Sequence, residues 1–266
     1  MKHLQSKERF VYWVKTRIDI LNQKNEGLPG PWTDDPIFNE YHFTNVRRED
    51  DKVSKWLIEN LYSSVNQNHW GIVLIARFIN NINSLHVIKH DLLEGDWKNC
   101  KSKLEFLLLM KNKVFSSAYL QPEIKGMTRL EKIFDYLLPQ VLSADIRTDS
   151  IEHAVEDLMK IKYLGEFISG QMAMDGMLFI DGLWSDKNTY APMGPGSIRG
   201  LNRLLDRPLL KKFKTIEYRT NVQALAEELN LRALDIEHSL CEWDKYERLL
   251  FNDGSYKRFY KKDFTL

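Results

Sequence analysis

Apolar side chains recur at helical spacing along most of the chain, and the every-second-residue alternation typical of strands is scarce. In the segment 130–141, six apolar residues fall at i, i+3, i+4, i+7, i+8 and i+11, which places them on one helix face. The same spacing recurs from Ile151 to Ile161, and Ser150 is the predicted N-cap of that helix. Pro139 is predicted to kink or end the first of these helices, because proline lacks the amide hydrogen that a helix interior needs.

The spacing of apolar residues along the whole chain predicts an all-α fold of about ten helices. Further helices are predicted over 8–22, 51–65, 70–82, 104–113 and the residues after Thr220, with irregular segments over 27–45 and 181–197. No linker divides the chain, so we expect one compact helical domain over 1–266, with two lobes and a cleft between them as the alternative arrangement.

The net charge and the number of cysteines limit the classes of protein to which this chain can belong. Lys and Arg number 38 and Asp and Glu 37, so any contact with DNA must come from a local basic surface. Two cysteines provide neither a disulfide framework nor a four-thiolate zinc site, which indicates a reducing compartment. No apolar run approaches the roughly 18 residues of a membrane span, so a soluble protein without a membrane partner is expected.

Several common catalytic signatures do not occur in the sequence. There is no phosphate-binding G-x-x-x-x-G-K-[ST] loop, no Cys-x-x-Cys pair, and no G-x-S-x-G elbow. We therefore expect neither a bound metal nor a cofactor.

Segment 43–56, FTNVRREDDKVSKW, concentrates charged residues within an apolar framework. Arg47 and Arg48 can offer planar guanidinium groups to a phosphate. A solvated helix start is the alternative interpretation.

Segment 159–179 predicts a helix ending near Tyr163, a turn at Gly165 and a second helix from about Ile168. This is the arrangement of a helix-hairpin-helix unit, whose amides bind a DNA phosphate. Asp175 then lies within an apolar stretch, either as a cap for a neighbouring helix or as a reactive carboxylate.

Segment 190–208 contains Gly194-Pro-Gly196-Ser, which predicts a helix capped by Ser197. Arg199, Asn202 and Arg203 can share one face of this helix, so their side chains and the helix start can converge on an anion. Segment 235–248, DIEHSLCEWDKYER, predicts a helix with a polar seam, and a salt-bridged helix packed on the domain is its alternative interpretation.

Together these segments resemble the alpha-glutamyl/putrescinyl thymine pyrophosphorylases, also called amino acid:DNA transferases, which are related to the helical domain of 5-hydroxymethyl-deoxyuridine DNA kinases. The five motifs that carry the resemblance extend over nearly the whole chain: PWTDDP (31–36), F-x-N-V-x-R-E-x-D (43–51), G-x-F followed by Asp (165–175), G-P-G-x-x-R-G-L-N-R-L (194–204) and D-I-E-H-x-L-C-E-W-D-K-Y (235–246). The resemblance implies a fold similar to helix-hairpin-helix DNA glycosylases.

The resemblance further implies a transferase acting on duplex DNA that carries a modified thymine, with the base flipped out of the stack. A phosphate or pyrophosphate on the 5-methylene group leaves, and an amine or amino acid takes its place. A phage-encoded member would act in the host cytoplasm.

Each candidate residue has an expected role in this chemistry. The leaving group is expected to bind Arg48, Arg199 and Arg203 together with the amides near Gly194 and Gly196. The proton acceptor is expected to be Asp175, Glu49 or Asp51. Asn45 and Asn202 are expected to contact the edge of the uracil ring. Arg47 and Gly165 are expected to contact the DNA. Glu242 and Lys245 are expected to complete the site, and a structural ion pair between them is the alternative.

Two other functions fit the same residues. One is a DNA glycosylase that activates water with Asp175, although Phe167 stands where the glycosylase hairpin has its second glycine and no lysine is present there for a Schiff base. The other is a non-catalytic DNA-binding partner that presents the modified base to a separate kinase.

Overall fold

The computed structural model describes residues 2–61, 69–116 and 123–253. These residues form helices and connecting turns without a β-strand, which confirms the all-α prediction. The α-helices are α1 Ser6–Asn25, α2 Pro36–Glu40, α3 Lys52–Leu61, α4 His69–Ile79, α5 Ile82–Glu94, α6 Trp97–Leu109, α7 Arg129–Glu131, α8 Leu138–Ser143, α9 Ile151–Met159, α10 Glu166–Phe179, α11 Pro195–Leu204, α12 Thr215–Leu229 and α13 Ala233–Phe251. None of these helices combines the length and the hydropathy that a membrane span requires.

The chain divides into two compact units. Unit 1 contains Met1–Asp50 and Asn188–Leu266, and unit 2 contains Asp51–Lys187.

Unit 1 is built around α13, which is buried on several sides. Trp243, Leu240 and Ile236 of α13 are fully buried, and the ring of Phe10 in α1 meets Trp243 edge to face at 5.4 Å. Aromatic pairs in this geometry add to the stabilisation from apolar burial alone. The rest of the unit packs on this core, so polar side chains of α13 are positioned by a rigid helix.

Unit 2 is built around α4, whose residues from Gly71 to Ile79 are all buried. Helices α8 and α10 pack against α4, and Gly176 of α10 lies under the indole ring of Trp70. A helix that is buried on all sides is typical of the centre of a helical unit, and its arginine, Arg77, is buried as well.

The predicted ends of the helices agree with the structure in some places and differ from it in others. Helix α9 begins after Ser150, whose side chain accepts a hydrogen bond from the His153 amide at 3.1 Å, so that cap is confirmed. Helix α3 falls within the predicted 51–65, and the residues of that prediction from 62 onward lie outside the described ranges. Helix α12 begins at Thr215, several residues before the predicted start.

Of the two alternatives predicted at Pro139, an end of the helix is wrong: the helix continues to Ser143, because a π-helical turn over Lys132–Leu137 precedes the proline and changes the hydrogen-bond pattern there. The predicted turn residue before α10 is also wrong. The turn before α10 is not made by Gly165, whose φ is −82°, but by Tyr163, whose φ is +74°. Helix α9 accordingly ends at Met159, before Tyr163.

Candidate functional site

Four of the five motifs that carry the resemblance meet on α13 in unit 1. The Tyr246 hydroxyl donates to Asp35 Oδ2 at 2.7 Å, which joins the PWTDDP motif to this helix. The Arg48 backbone amide donates to Asp235 Oδ1 at 3.1 Å, which joins the segment 43–51. The fifth motif, which runs from Gly165 to Asp175, lies in unit 2.

The Gly-Pro-Gly motif brings α11 into close contact with α13. A β-carbon at Gly196 would lie 2.3 Å from Cys241 Sγ, and one at Gly200 would lie 2.2 Å from the Leu240 carbonyl oxygen. Both glycines are therefore required for helix packing, a role that the sequence analysis did not assign to them.

The predicted N-cap at Ser197 is wrong. Helix α11 begins at Pro195 with Gly194 as its N-cap, because proline is favoured in the first turn, where no amide hydrogen is needed. Ser197 is fully buried, and its hydroxyl donates to the Gly194 carbonyl at 3.0 Å.

A buried carboxyl group, Glu237 of α13, lies at the start of α11. Burial raises the pKa of Glu237 to about 7, although its hydrogen bonds with Ser197 and the Gly194 amide and the charge of Arg48 act in the opposite direction. The acidic group at this helix start is thus a side chain of the protein itself. Glu237 was not among the predicted site residues, and its position between the apolar Ile236 and Leu240 was the available signal.

Arg199 and Arg203 converge on one carboxylate, as their spacing on one helix face suggested. Their Nε atoms lie 3.0 and 2.8 Å from the two oxygens of Asp244, which is fully buried. Arg248 Nε lies 3.6 Å from the same group. We call Arg199, Arg203 and Arg248 the guanidinium cluster, since three cations share this one carboxylate.

The two asparagines assigned to the uracil edge have partners inside the protein. The Asn202 amide nitrogen donates to the carbonyls of Leu209 and Lys211 at 3.0 and 2.8 Å, and the whole residue is buried. Asn45 accepts from Arg17 at 2.9 Å and donates to the Asp50 carbonyl at 2.8 Å. Both residues hold loops in place, and their role in base contact stays a prediction.

Glu242 and Lys245 form an ion pair one turn apart on α13. Burial raises the pKa of Glu242, but Lys245 and His238 outweigh this effect, so the pKa is lowered overall. The Thr44 backbone amide also donates to Glu242, at 3.2 Å. The geometry therefore matches the structural ion pair that the sequence left open.

A pocket of about 510 Å³ lies in unit 1, within the usual size range of small-molecule sites. Its lining includes Arg47, Glu49, Gln223, Asn230, Arg232 and Asp235. Arg232 Nε donates to Asp235 Oδ2 at 2.8 Å, and the same guanidinium group pairs with Glu49. Arg47 is exposed, so the pocket offers both cationic and anionic groups.

The other candidate residues lie in unit 2. Asp175 is 1% exposed and accepts hydrogen bonds from Arg77 Nε at 2.7 Å and from the Ser54 hydroxyl at 3.2 Å. Asp51 Oδ2 accepts from the Val53 amide at 3.3 Å at the start of α3. Gly165 is the N-cap of α10, with open space around its α-carbon. Within the described ranges, no group of three or more His, Cys, Asp or Glu residues is placed to hold a metal.

Residues 5–255 match the protein-family model described as "5-hmdU DNA kinase, helical domain". The chain belongs to this family. Its relation to the helical domain of 5-hydroxymethyl-deoxyuridine DNA kinases is thereby confirmed, whereas membership of the thymine pyrophosphorylases and the glycosylase-like fold stay predictions.

One protein with a similar sequence is the 5-hmdU DNA kinase of Bacillus phage SP10. The two sequences are 25% identical over 288 residues, which cover 88% of this chain and 44% of the relative. The chain therefore spans less than half the length of that kinase. No solved structure matches the chain.

Proposed function

We propose that this chain is a transferase that modifies a thymine-derived base in DNA. Its substrate is 5-hydroxymethyl-deoxyuridine carrying a phosphate or pyrophosphate on the hydroxymethyl group, and its product carries an amine or amino acid at that carbon. The proposal rests on the family match together with one observation: a pocket lined by oppositely charged side chains in unit 1.

The pocket supports this function through its mixture of groups. A uracil ring presents both hydrogen-bond donors and acceptors, and the amides of Gln223 and Asn230 can pair with either kind. Arg47 supplies an exposed guanidinium group for a phosphate oxygen. The proposal thus places an extruded base and its charged substituent in one cavity.

Glu49 is the proposed proton acceptor, because it is the one predicted catalytic carboxylate among the pocket-lining residues. In the reaction, the bond between the 5-methylene carbon and the phosphate oxygen breaks, and the phosphate leaves with the electron pair. The amine nitrogen forms the new bond to carbon and transfers a proton to Glu49. Acid–base assistance of this kind accelerates reactions by roughly 10²- to 10⁴-fold.

The guanidinium cluster is a proposed second holder of phosphate charge. Three guanidinium groups surround the single carboxylate of Asp244, so positive charge remains for an added anion. Asp253, which pairs with Arg203 at 2.8 Å, offsets part of this charge.

A second candidate function is that of a DNA-binding partner that presents the modified base to a kinase. The observation that favours it is the coverage of the phage relative, because more than half of that kinase lies outside the match.

The test uses the full chain and duplex oligonucleotides that contain thymine, 5-hydroxymethyluracil, or its phosphate or pyrophosphate. Each duplex is incubated with a mixture of polyamines and amino acids, and the released nucleosides are analysed by mass spectrometry. The proposal predicts that phosphate is replaced by an amine on a phosphorylated duplex and that the thymine duplex does not change.

Other outcomes identify the alternatives. An abasic site in the product supports the glycosylase, and duplex binding without any change of mass supports the partner of a kinase. Either result contradicts the transferase proposal.

A further inference from the structure

The loop between α11 and α12 forms a tight turn that the rest of unit 1 holds in place. The Lys211 amide donates to the Pro208 carbonyl at 2.9 Å, which closes a turn with Leu209 and Leu210 at its tip. The buried side chain of Asn202 donates to the carbonyls of Leu209 and Lys211. Since the anchoring residue is fully buried, the turn has a fixed shape before any ligand binds.

The far side of the loop is fixed by an aromatic contact. The guanidinium group of Arg207 lies over the ring of Phe213, 4.0 Å from its centroid, and also pairs with Glu217 at 2.7 Å. Phe213 is buried and meets Tyr218 edge to face at 5.9 Å. The loop is therefore anchored at both of its ends.

The surface of this loop is basic and carries one very exposed apolar side chain. Lys211, Lys212 and Lys214 are all exposed, and Leu210 is 84% exposed. Lys214 is also the N-cap of α12, and its side chain makes no capping hydrogen bond. Both features favour an anionic partner.

The acidic groups nearby leave an excess of positive charge. Within 206–217, Arg207 and the three lysines stand against Asp206 and Glu217. Glu217 is already paired with Arg207, and Asp206 accepts from the Ser6 hydroxyl at 3.1 Å. The pKa of Glu217 is lowered by its hydrogen bond with Arg207 and also by the charge of Lys211. The segment still carries two positive charges in excess, which can face an external anion.

We propose that the turn 207–214, which we call the basic turn, binds the sugar–phosphate backbone of duplex DNA through Lys211, Lys212 and Lys214, with Leu210 entering the adjacent groove. This inference rests on the proposed function, because it supplies the duplex contact that the base modification requires. Duplex DNA fits the surface better than a small anion does, since three exposed lysines along one loop can contact more than one phosphate of a strand. An apolar side chain in a groove is a common companion of such contacts.

The experiment measures binding of the full chain to a labelled duplex with one 5-hydroxymethyluracil, by fluorescence anisotropy at several salt concentrations. The test variant replaces Lys211, Lys212 and Lys214 by Gln. The matched control replaces Lys15, Lys98 and Lys113 by Gln, three exposed lysines outside the basic turn.

Each phosphate contact contributes about 0.9 to the slope of log affinity against log salt. Loss of three contacts therefore reduces the magnitude of this negative slope by about 2.7. When the salt concentration rises from 50 to 200 mM, the affinity of the wild type is expected to fall by a factor about 40 times larger than that of the test variant. The control variant keeps the wild-type slope. A second variant, Leu210→Ser, weakens binding with an unchanged slope, because it removes an apolar contact and no charge.

The outcomes separate this inference from the proposed function. Wild-type binding with an equal slope in the wild type and the test variant would overturn the basic turn as the DNA contact while leaving the transferase proposal intact. A wild type that binds no duplex at 50 mM salt contradicts both.

Discussion

Gly200 of α11 lies directly against the backbone of Leu240 in α13: a β-carbon at this glycine would be 2.2 Å from the Leu240 carbonyl oxygen. The obstacle is backbone in the middle of a buried helix, so it cannot rotate away as a side chain can. The contact sets the distance between the two helices that carry Glu237 and the guanidinium cluster.

Gly200→Ala is therefore expected to destabilise unit 1 by about 1–3 kcal/mol, the usual cost of overpacking, although alanine has the better helix propensity. Urea unfolding followed by tryptophan fluorescence measures this change. The control is Thr220→Ala, an exposed position in α12 of the same unit, which is expected to leave the unfolding midpoint nearly unchanged. Equal midpoints for Gly200→Ala and the wild type would contradict the close packing.

Glu237 is expected to make the stability of the protein depend on pH. Its pKa is raised from 4.5 to about 7 by burial, so the folded chain keeps this proton at pH values where the unfolded chain has lost it. The contribution to stability is thus complete below about pH 4.5 and is lost as the pH rises to 7, by up to about 3 kcal/mol.

Glu237→Gln removes this dependence, because the amide does not titrate. We expect the difference in unfolding free energy between the variant and the wild type to grow in favour of the variant from pH 5 to pH 7. Glu26→Gln, at an exposed position in the same unit, serves as the control and is expected to follow the wild type. A difference that stays constant over this range would show that Glu237 titrates normally.

Asp175 and Arg77 form a buried ion pair in unit 2, with both side chains about 1% exposed. Asp175→Ala leaves Arg77 buried without this carboxylate, and removal of one partner of such a pair costs about 3–5 kcal/mol. Replacement of both, by Arg77→Met with Asp175→Leu, is expected to recover most of the lost stability. Thermal unfolding of the three proteins measures the effect.

The same variants distinguish a structural Asp175 from a catalytic one. A double variant that regains both stability and transferase activity shows that Asp175 serves the fold. A double variant that is stable and inactive would instead support the role of proton acceptor predicted from the sequence.

The sequence predicted the helices whose apolar stripes are long and regular. Helix α9 and its Ser150 cap follow from spacing and from one side-chain hydrogen bond, both of which are local. The turn before α10 was predicted wrongly because glycine is the usual residue at positive φ, whereas this chain places Tyr163 there.

The site was predicted less completely, because its contacts join residues far apart in the chain. The pattern of charges singled out the segment 43–51, yet nothing local indicates that Glu49 pairs with Arg232. Asn202 looked like a base contact because it lies between two arginines, and only the folded loop shows that its amide holds Leu209 and Lys211. Glu237 was overlooked because its pKa is set by burial, which no sequence window reports.

The central claim is that the pocket in unit 1 carries out amine transfer with Glu49 as the proton acceptor. The most direct measurement is the single-turnover rate of product formation on a phosphorylated 5-hydroxymethyluracil duplex, for the wild type and Glu49→Gln at equal duplex occupancy, with Glu26→Gln as the control. We expect Glu49→Gln to form product at least about 100-fold more slowly while its affinity for the duplex is kept. A Glu49→Gln protein that forms product at the wild-type rate would contradict this claim.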